Sequence, residues 1–235
     1  MEIGTRLEPF FDNYLVEDSF RLSHVLGTPQ KERVVLQFDE PWERYFTGYF
    51  TVIKDEDVFR MYYRGWPNPE ADEVTCYAES NDGFHWQKPV LGLHAYAGRK
   101  DTNILLMGRP DISSDFCPFI DTNPVSRPEE KFKALGGKRA EGLFALSSAD
   151  GIHWKQMHDE PVFRQGAFDS QNVPFWSESE GMYVLYFRVF SSGNIEDPFR
   201  GLRTIARTTS KDFIHWTEPE RMQFGDSQQE HLYTN

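Results

Sequence analysis

The feature that most constrains this chain is a seven-residue pattern, Ser-x-Asp-x-x-His-Trp, which occurs three times: Ser80 to Trp86, Ser148 to Trp154 and Ser210 to Trp216. Trp154 lies 68 positions after Trp86, and Trp216 lies 62 after Trp154. A triple match at near-constant spacing marks a repeated structural unit, which must be recognised before any local assignment is made. The motif has a local mechanism. Asp-Gly bends the backbone tightly, since Gly accepts positive φ and the carboxylate caps nearby N–H groups. The following Trp can then fold against neighbouring strands. In the third copy Phe213 stands where Gly83 and Gly151 stand in the others, which predicts a turn of different shape. Three equivalent histidines, His85, His153 and His215, fit a structural role repeated per unit rather than a single catalytic one.

Upstream of each motif the same succession recurs. Residues 49–53, 59–64 and 74–78 read as strands in the first copy, 119–120, 132–135 and 143–146 in the second, and 173–176, 182–187 and 202–206 in the third. They are aromatic and β-branched runs bounded by Gly, Pro and Asp, the expected strand signature. Adding the Trp-bearing segment gives four strands per unit, and four-stranded units repeated radially are the blades of a β-propeller. The chain therefore reads as all-β. Residues 1–44 form an N-terminal segment leading into the first blade, and residues 45–235 hold three blades and, at 229–235, the start of a fourth.

Composition narrows the function. Apolar residues make up 39% and charged residues 26% of 235 positions, with no run of eighteen apolar residues that would span a membrane. A net charge of -12 without a dense Lys/Arg cluster argues against a nucleic-acid partner. The aromatic share of 15% suits strand packing and also a sugar-binding surface. Cys76 and Cys117 are too few for a disulfide framework or a zinc site. The first residues lack a secretion signal, so the expected location is cytoplasmic if the N-terminus is native, and periplasmic or secreted if a signal was removed.

The recurring turns resemble those of the five-bladed furanosidase propellers. So do the strands around Arg60-Met61-Tyr62-Tyr63 and Tyr183-Val184-Leu185-Tyr186-Phe187, and the segments Phe119-Ile120-Asp121-Thr122-Asn123-Pro124 and Phe168-Asp169-Ser170-Gln171-Asn172. That group holds arabinanases, invertases and levansucrases, with glycoside hydrolase families 32 and 43 among them. The chain is more closely similar to bacterial proteins related to the family-32 N-terminal domain. The resemblance implies a five-bladed propeller, the missing blades coming from the rest of the chain or a partner subunit. It also implies an axial funnel into which the innermost strands of the first three blades each project a carboxylate. Glycosidic cleavage needs a proton donor for the leaving oxygen and a carboxylate on the opposite side of the sugar. Glu43, Asp121, Asp169 and Glu230 are the acidic residues expected at the starts of successive innermost strands. Asn123, Gln171, Asn172, Arg64 and Arg188 are candidates for binding sugar hydroxyls, a carboxylate or a phosphate, and Trp42, Trp66 and Trp176 for stacking on a sugar ring.

The chain departs from the group's best-known members. It lacks the Asn-Asp-Pro-Asn-Gly nucleophile motif, the Arg-Asp-Pro motif and a Glu-Cys acid motif. The sialidase alternative is weaker still, since no arginine triad is evident in the sequence. The expected function is that of a glycoside hydrolase-like protein acting on an oligo- or polysaccharide, without cofactor. Its alternatives are a non-catalytic glycan-binding propeller and a mannoside-type phosphorylase.

Overall fold

The computed structural model describes residues 13–193, 197, 199–225 and 230–232. The chain divides into two compact units, Met1–Val34 and Val35–Asn235. In the first, residues 13–34 form no helix or strand. The second contains three antiparallel four-stranded sheets. The first sheet is β1 (Phe46–Asp55), β2 (Val58–Trp66), β3 (Val74–Ser80) and β4 (Ile104–Leu106); the second is β5 (Cys117–Ile120), β6 (Phe132–Lys138), β7 (Gly142–Ser148) and β8 (Lys155–Gln156). The third is β9 (Val173–Ser177), β10 (Met182–Phe190), β11 (Arg203–Ser210) and β12 (Glu220–Arg221). In every sheet each strand pairs with the one before it in sequence, which is blade topology in an all-β, propeller-like fold. A four-residue helix, α1 (Pro110–Ser113), precedes β5. No helix among the described residues is long and apolar enough to cross a membrane.

Two local expectations are corrected. The Trp-bearing segment is not itself the fourth strand: the short outer strands β8 and β12 come after Trp154 and Trp216, and β4 comes well after Trp86. The reason is visible in the turns, where the indole folds back so that Trp86 Nε1 donates to the Gly83 carbonyl at 2.8 Å and Trp154 Nε1 to that of Gly151 at 3.0 Å. Nor does the third turn differ in shape. Phe213 adopts φ 69°, against 75° at Gly83 and 76° at Gly151. Its N–H donates to Ser210 Oγ at 2.9 Å, as those of Gly83 and Gly151 donate to Ser80 and Ser148 at the same distance. A left-handed non-glycine residue costs about 1–2 kcal/mol. Burial of the Phe213 ring against Tyr183, Phe119 and Trp216, at centroid distances of 5.1, 5.6 and 5.6 Å, offsets that cost.

The carboxylate organises each turn. Asp82 Oδ1 accepts the N–H groups of Phe84 at 2.8 Å and His85 at 2.7 Å, while Oδ2 faces His85 Nδ1 at 2.6 Å. Asp150 with His153, and Asp212 with His215, repeat the set. Donation from the His85 ring and backbone holds the Asp82 carboxyl well below the usual range.

Between the sheets lie apolar layers. Tyr62, Tyr77, Leu105, Phe116 and Leu146 join the first blade to the second. Leu135, Leu143, Phe168, Tyr183, Leu185 and Phe187 join the second to the third. A further layer of Trp42, Tyr63, Val74, Cys76 and Ile104 packs on the first blade, with Leu36 and Phe38 against it. The leading strands converge: Gln171 Nε2 donates to Thr51 Oγ1 at 2.5 Å and lies 3.5 Å from Cys117 Sγ, which is 3.6 Å from Thr51 Oγ1. Thr51, Cys117 and Gln171 therefore hold corresponding positions about the axis, and β1, β5 and β9 are the innermost strands.

The turns give a test. A Cβ at Gly83 would meet nothing within 4 Å, whereas one at Gly151 would sit 2.6 Å from Tyr62 Oη. That hydroxyl donates to the Gly151 carbonyl at 3.0 Å. Gly83→Ala is expected to cost about 1–2 kcal/mol from backbone strain alone, and Gly151→Ala clearly more. Equal shifts in the urea midpoints of the two variants would contradict the packing described.

Candidate functional site

The convergence of Thr51, Cys117 and Gln171 fixes a register between blades. Two residues upstream of each stand Tyr49, Asp115 and Asp169, at the same end of the three innermost strands. The backbone there is unusual. Tyr49 and Asp115 have φ 53° and 49°, and Phe168, beside Asp169, has φ 48°. Left-handed non-glycine residues cost on the order of 1–3 kcal/mol and concentrate where structure serves function. In β1 the strain coincides with a bulge between Gly48 and Thr51, which re-aims the chain at the rim of the axis.

Two arginines bind this acidic pair. Arg64 Nη1, from the end of β2, lies 3.3 Å from Asp115 Oδ1 and 2.9 Å from Glu73 Oε1. Its guanidinium stacks 4.3 Å from the Tyr49 ring centroid and 4.8 Å from that of Phe46. Arg188 Nη1, from β10, lies 3.2 Å from Asp169 Oδ2. The Asp169 Oδ1 atom is buried without a hydrogen-bond partner. Tyr49 Oη donates to the Asp169 carbonyl at 3.4 Å, tying the first blade to the third.

Asp115 is buried, and removal from water pushes its carboxyl up to about 7. The Arg64 charge opposes that rise, the Glu73 and Asp169 carboxylates add to it, and Arg188 opposes it. The site thus presents a carboxyl poised to hold a proton near neutrality beside one bound to a guanidinium.

The other expected acids lie elsewhere. Asp121 follows β5 instead of preceding it, at the far end of that strand from Asp115. Its Oδ2 accepts from Lys133 Nζ at 2.6 Å and from Tyr183 Oη at 2.8 Å, and Asn123 Nδ2 donates to the same tyrosine at 3.0 Å. Asp121 and Asn123 therefore belong to a buried network between the second and third blades. Glu43 precedes β1 as expected, but its side chain turns into the first blade and is 2% exposed. There it accepts from Tyr63 Oη at 2.6 Å and Lys88 Nζ at 2.7 Å. Glu230 is exposed beyond β12, and its neighbours His231 and Leu232 hydrogen-bond the backbone of Arg203, at the start of β11. The expected start of a fourth blade falls mostly outside the described residues.

Of the remaining candidates, Arg64, Arg188 and Gln171 are at the site or on the axis just below it. Asn172 is fully buried, with neither side-chain polar atom paired. Trp42 is 1% exposed and donates to Asn103 Oδ1 at 2.9 Å, so its ring is committed to the core. Trp176 packs 4.9 Å from Tyr183. Trp66, at the end of β2, has the Arg64 guanidinium 5.9 Å from its ring centroid and donates from Nε1 to the Ala71 carbonyl at 2.9 Å. Asp115, Glu73 and Tyr49 were not anticipated. The available signal was the matched spacing of Asp115 to Cys117 and Asp169 to Gln171, hidden while the second innermost strand was expected to begin at Phe119. Among the described residues no group of three His, Cys, Asp or Glu is arranged to hold a metal ion.

No protein-family model matches the chain, and no curated protein matches it. Solved structures do. A glycosyl hydrolase from Bacteroides ovatus superposes with a TM-score of 0.51 at 14% identity, over 76% of this chain and 53% of that one. A candidate glycosidase from Bacteroides thetaiotaomicron gives 0.50 at 16%, over 77% and 54%. A second, candidate glycoside hydrolase from Bacteroides ovatus gives 0.50 at 14%, over 77% and 55%. The chain spans about half the length of these structures, and the likeness is one of fold.

The raised Asp115 carboxyl carries a sign for stability. Its folded-state affinity for the proton exceeds the unfolded one, so its contribution is full below about pH 4 and is lost as pH rises through about 7. The displacement from 3.8 to about 7 is worth up to on the order of 4 kcal/mol. Asp115→Asn is expected to flatten the dependence of unfolding free energy on pH across that window. A variant whose pH profile keeps the parent's slope would contradict the burial assigned to this carboxyl.

Proposed function

We propose that this chain is the first three blades of a five-bladed, carbohydrate-active propeller that cleaves glycosidic bonds, with Asp115 as general acid and Asp169 as base or nucleophile. The carrying observation is that two acids from corresponding positions ahead of adjacent innermost strands share one end of the axis, Asp115 with its carboxyl pushed up to about 7 and Asp169 paired with the Arg188 guanidinium. Glycoside hydrolysis needs that asymmetry: one carboxyl must arrive protonated at the leaving oxygen, and the other must act as an anion across the ring. Desolvation supplies the first and the Arg188 guanidinium orients the second. Glu43 and Asp121, which sequence alone favoured, have their oxygens engaged by buried lysines and tyrosines, and serve this proposal as scaffold. The partner it implies is an oligo- or polysaccharide, and the fold likeness to glycoside hydrolase structures supports that class.

A second reading is a glycan-binding propeller without turnover. The observation favouring it is Tyr49, which stands at the first blade's corresponding position where the resemblance implies a third carboxylate. Glu73, paired with Arg64, supplies an acid from β3's lead-in instead, and on that ground we retain catalysis as the conclusion. Phosphorolysis is the less supported alternative, because Arg64 and Arg188 both have carboxylate partners.

The test is turnover of the full chain on a glycan panel, with and without inorganic phosphate. Asp115→Asn and Asp169→Asn should each lower kcat by about 10²–10⁴-fold, the range for a lost acid–base group. The parent's kcat/KM should fall as pH rises through about 7. Undiminished turnover in both variants would remove the mechanism, glycan binding with no product would favour the second reading, and strict phosphate dependence would favour phosphorolysis.

A further inference from the structure

Beside the acidic pair, at the same end of the second and third blades, lies a pocket of about 500 Å³ that no part of the proposed mechanism uses. Its position follows from the chain. The loop 164–167 that forms one wall runs directly into Phe168 and Asp169, and the Ala167 N–H donates to the Arg188 carbonyl at 3.2 Å. Val189 and Phe190, on the floor, follow Arg188 along β10. The wall and floor of the pocket thus adjoin Asp169 and Arg188 along the chain.

The lining is chemically lopsided. Arg139 from the β6–β7 turn, Arg164 from the loop and Arg221 from β12 all face it, and among the described residues no Asp or Glu lines it. This occurs in a chain with net charge -12. Two of the guanidiniums are held by carbonyls, which fix direction without cancelling charge: Arg164 Nη1 donates to the Glu141 carbonyl at 2.8 Å and Arg221 Nη2 to the Phe190 carbonyl at 3.4 Å. Acidic groups stand at the outer rim. Glu160 lies 3.3 Å from Arg164 with both side chains mostly exposed, a pair of a kind worth little and easily exchanged. Glu218 accepts from Gln165 at 2.8 Å. Beneath the arginines the floor is apolar, with Ala167 and Phe190 buried and Val189 partly so.

A cationic rim over an apolar floor, within the size range of small-ligand sites, fits a ring with one hydrophobic face and one anionic substituent. The planar guanidinium fork matches a carboxylate in particular. We propose that this pocket is a subsite for an acidic sugar, a uronate residue whose carboxylate is held by Arg164 and Arg221 with Arg139 behind them, and whose ring lies over Val189 and Phe190. This names the substrate class for the site at Asp115 and Asp169 and rests on the carbohydrate-active reading of that site.

Binding can be read without turnover. Calorimetric titration of the full chain with glucuronate, galacturonate and mannuronate, each beside its neutral parent hexose, should show at least one uronate binding tenfold or more tighter than its parent. That preference should weaken as salt rises and vanish in Arg164→Gln/Arg221→Gln, whose fold is checked by its thermal transition. It should persist in Asp115→Asn/Asp169→Asn, so that loss of the catalytic reading and loss of the subsite are told apart. Equal binding of acids and hexoses by the parent overturns the proposal, as does a preference that survives the double arginine variant. Displacement of the uronate by acetate or sulfate at equal concentration would show recognition of a bare anion and overturn the sugar assignment. The parent's acid-against-hexose comparison decides the matter even if the arginine variant does not fold.

Discussion

The carboxylate that closes each blade is the interaction on which the architecture depends. A tight turn at the edge of a sheet strands several backbone N–H groups, and leaving them unpaired costs more than any single contact nearby returns. Asp82, Asp150 and Asp212 each satisfy two of them with one oxygen and engage a histidine with the other. With the turn fixed, the left-handed residue of the second and third copies faces the layer between blades, and its identity becomes a packing variable. Gly151 leaves room for the Tyr62 hydroxyl, whereas Phe213 fills the corresponding space with its own ring. The same backbone thereby serves two different layers between blades.

Among the described residues, the acids built into the blades at Glu43 and Asp121 differ from those at the axis in being met by lysines. Glu43 with Lys88, and Asp121 with Lys133, are ion pairs completed by a tyrosine hydroxyl. Groups so compensated tolerate burial because each carboxylate oxygen has a donor, and breaking either pair would leave a charge stranded. Asp115 and Asp169 are met by arginines, yet they also feel each other and Glu73. Removal from water, with the neighbouring carboxylates adding to it, lifts Asp115 toward neutrality, and an oxygen of Asp169 is left unpaired. Folding alone would not require such an arrangement. The left-handed Asp115, the bulge before Thr51 and the unpaired Asn172 cluster in the same region, and their coincidence separates this site from the scaffold acids.

The resemblance to furanosidase propellers directed attention to carboxylates at the starts of innermost strands, and Asp169 does stand ahead of β9, paired with Arg188. It misplaced the second blade's acid because Cys117-Pro118 does not read as the opening of a strand, proline being a poor ladder member. Pro118 is accommodated in β5 because that strand is innermost and pairs only with β6. With β5 beginning at Cys117, Asp115 precedes the strand and Asp121 follows it.

Sequence by itself determined the all-β class, the number of four-stranded units present and the structural role of the Asp-turn histidines, because these follow from a local motif written three times with its own hydrogen-bond logic. Tertiary structure alone decided which acids meet. Pairing with Lys88 or Lys133 and proximity to Asp169 look identical in a string of letters, and the distinction arises from side chains brought together across 12 to 54 positions. The same holds for the three arginines of the pocket beside the site. Arg139, Arg164 and Arg221 are far apart in the chain and form no visible triad there, and only the closing of two blades against each other places their charges around one cavity.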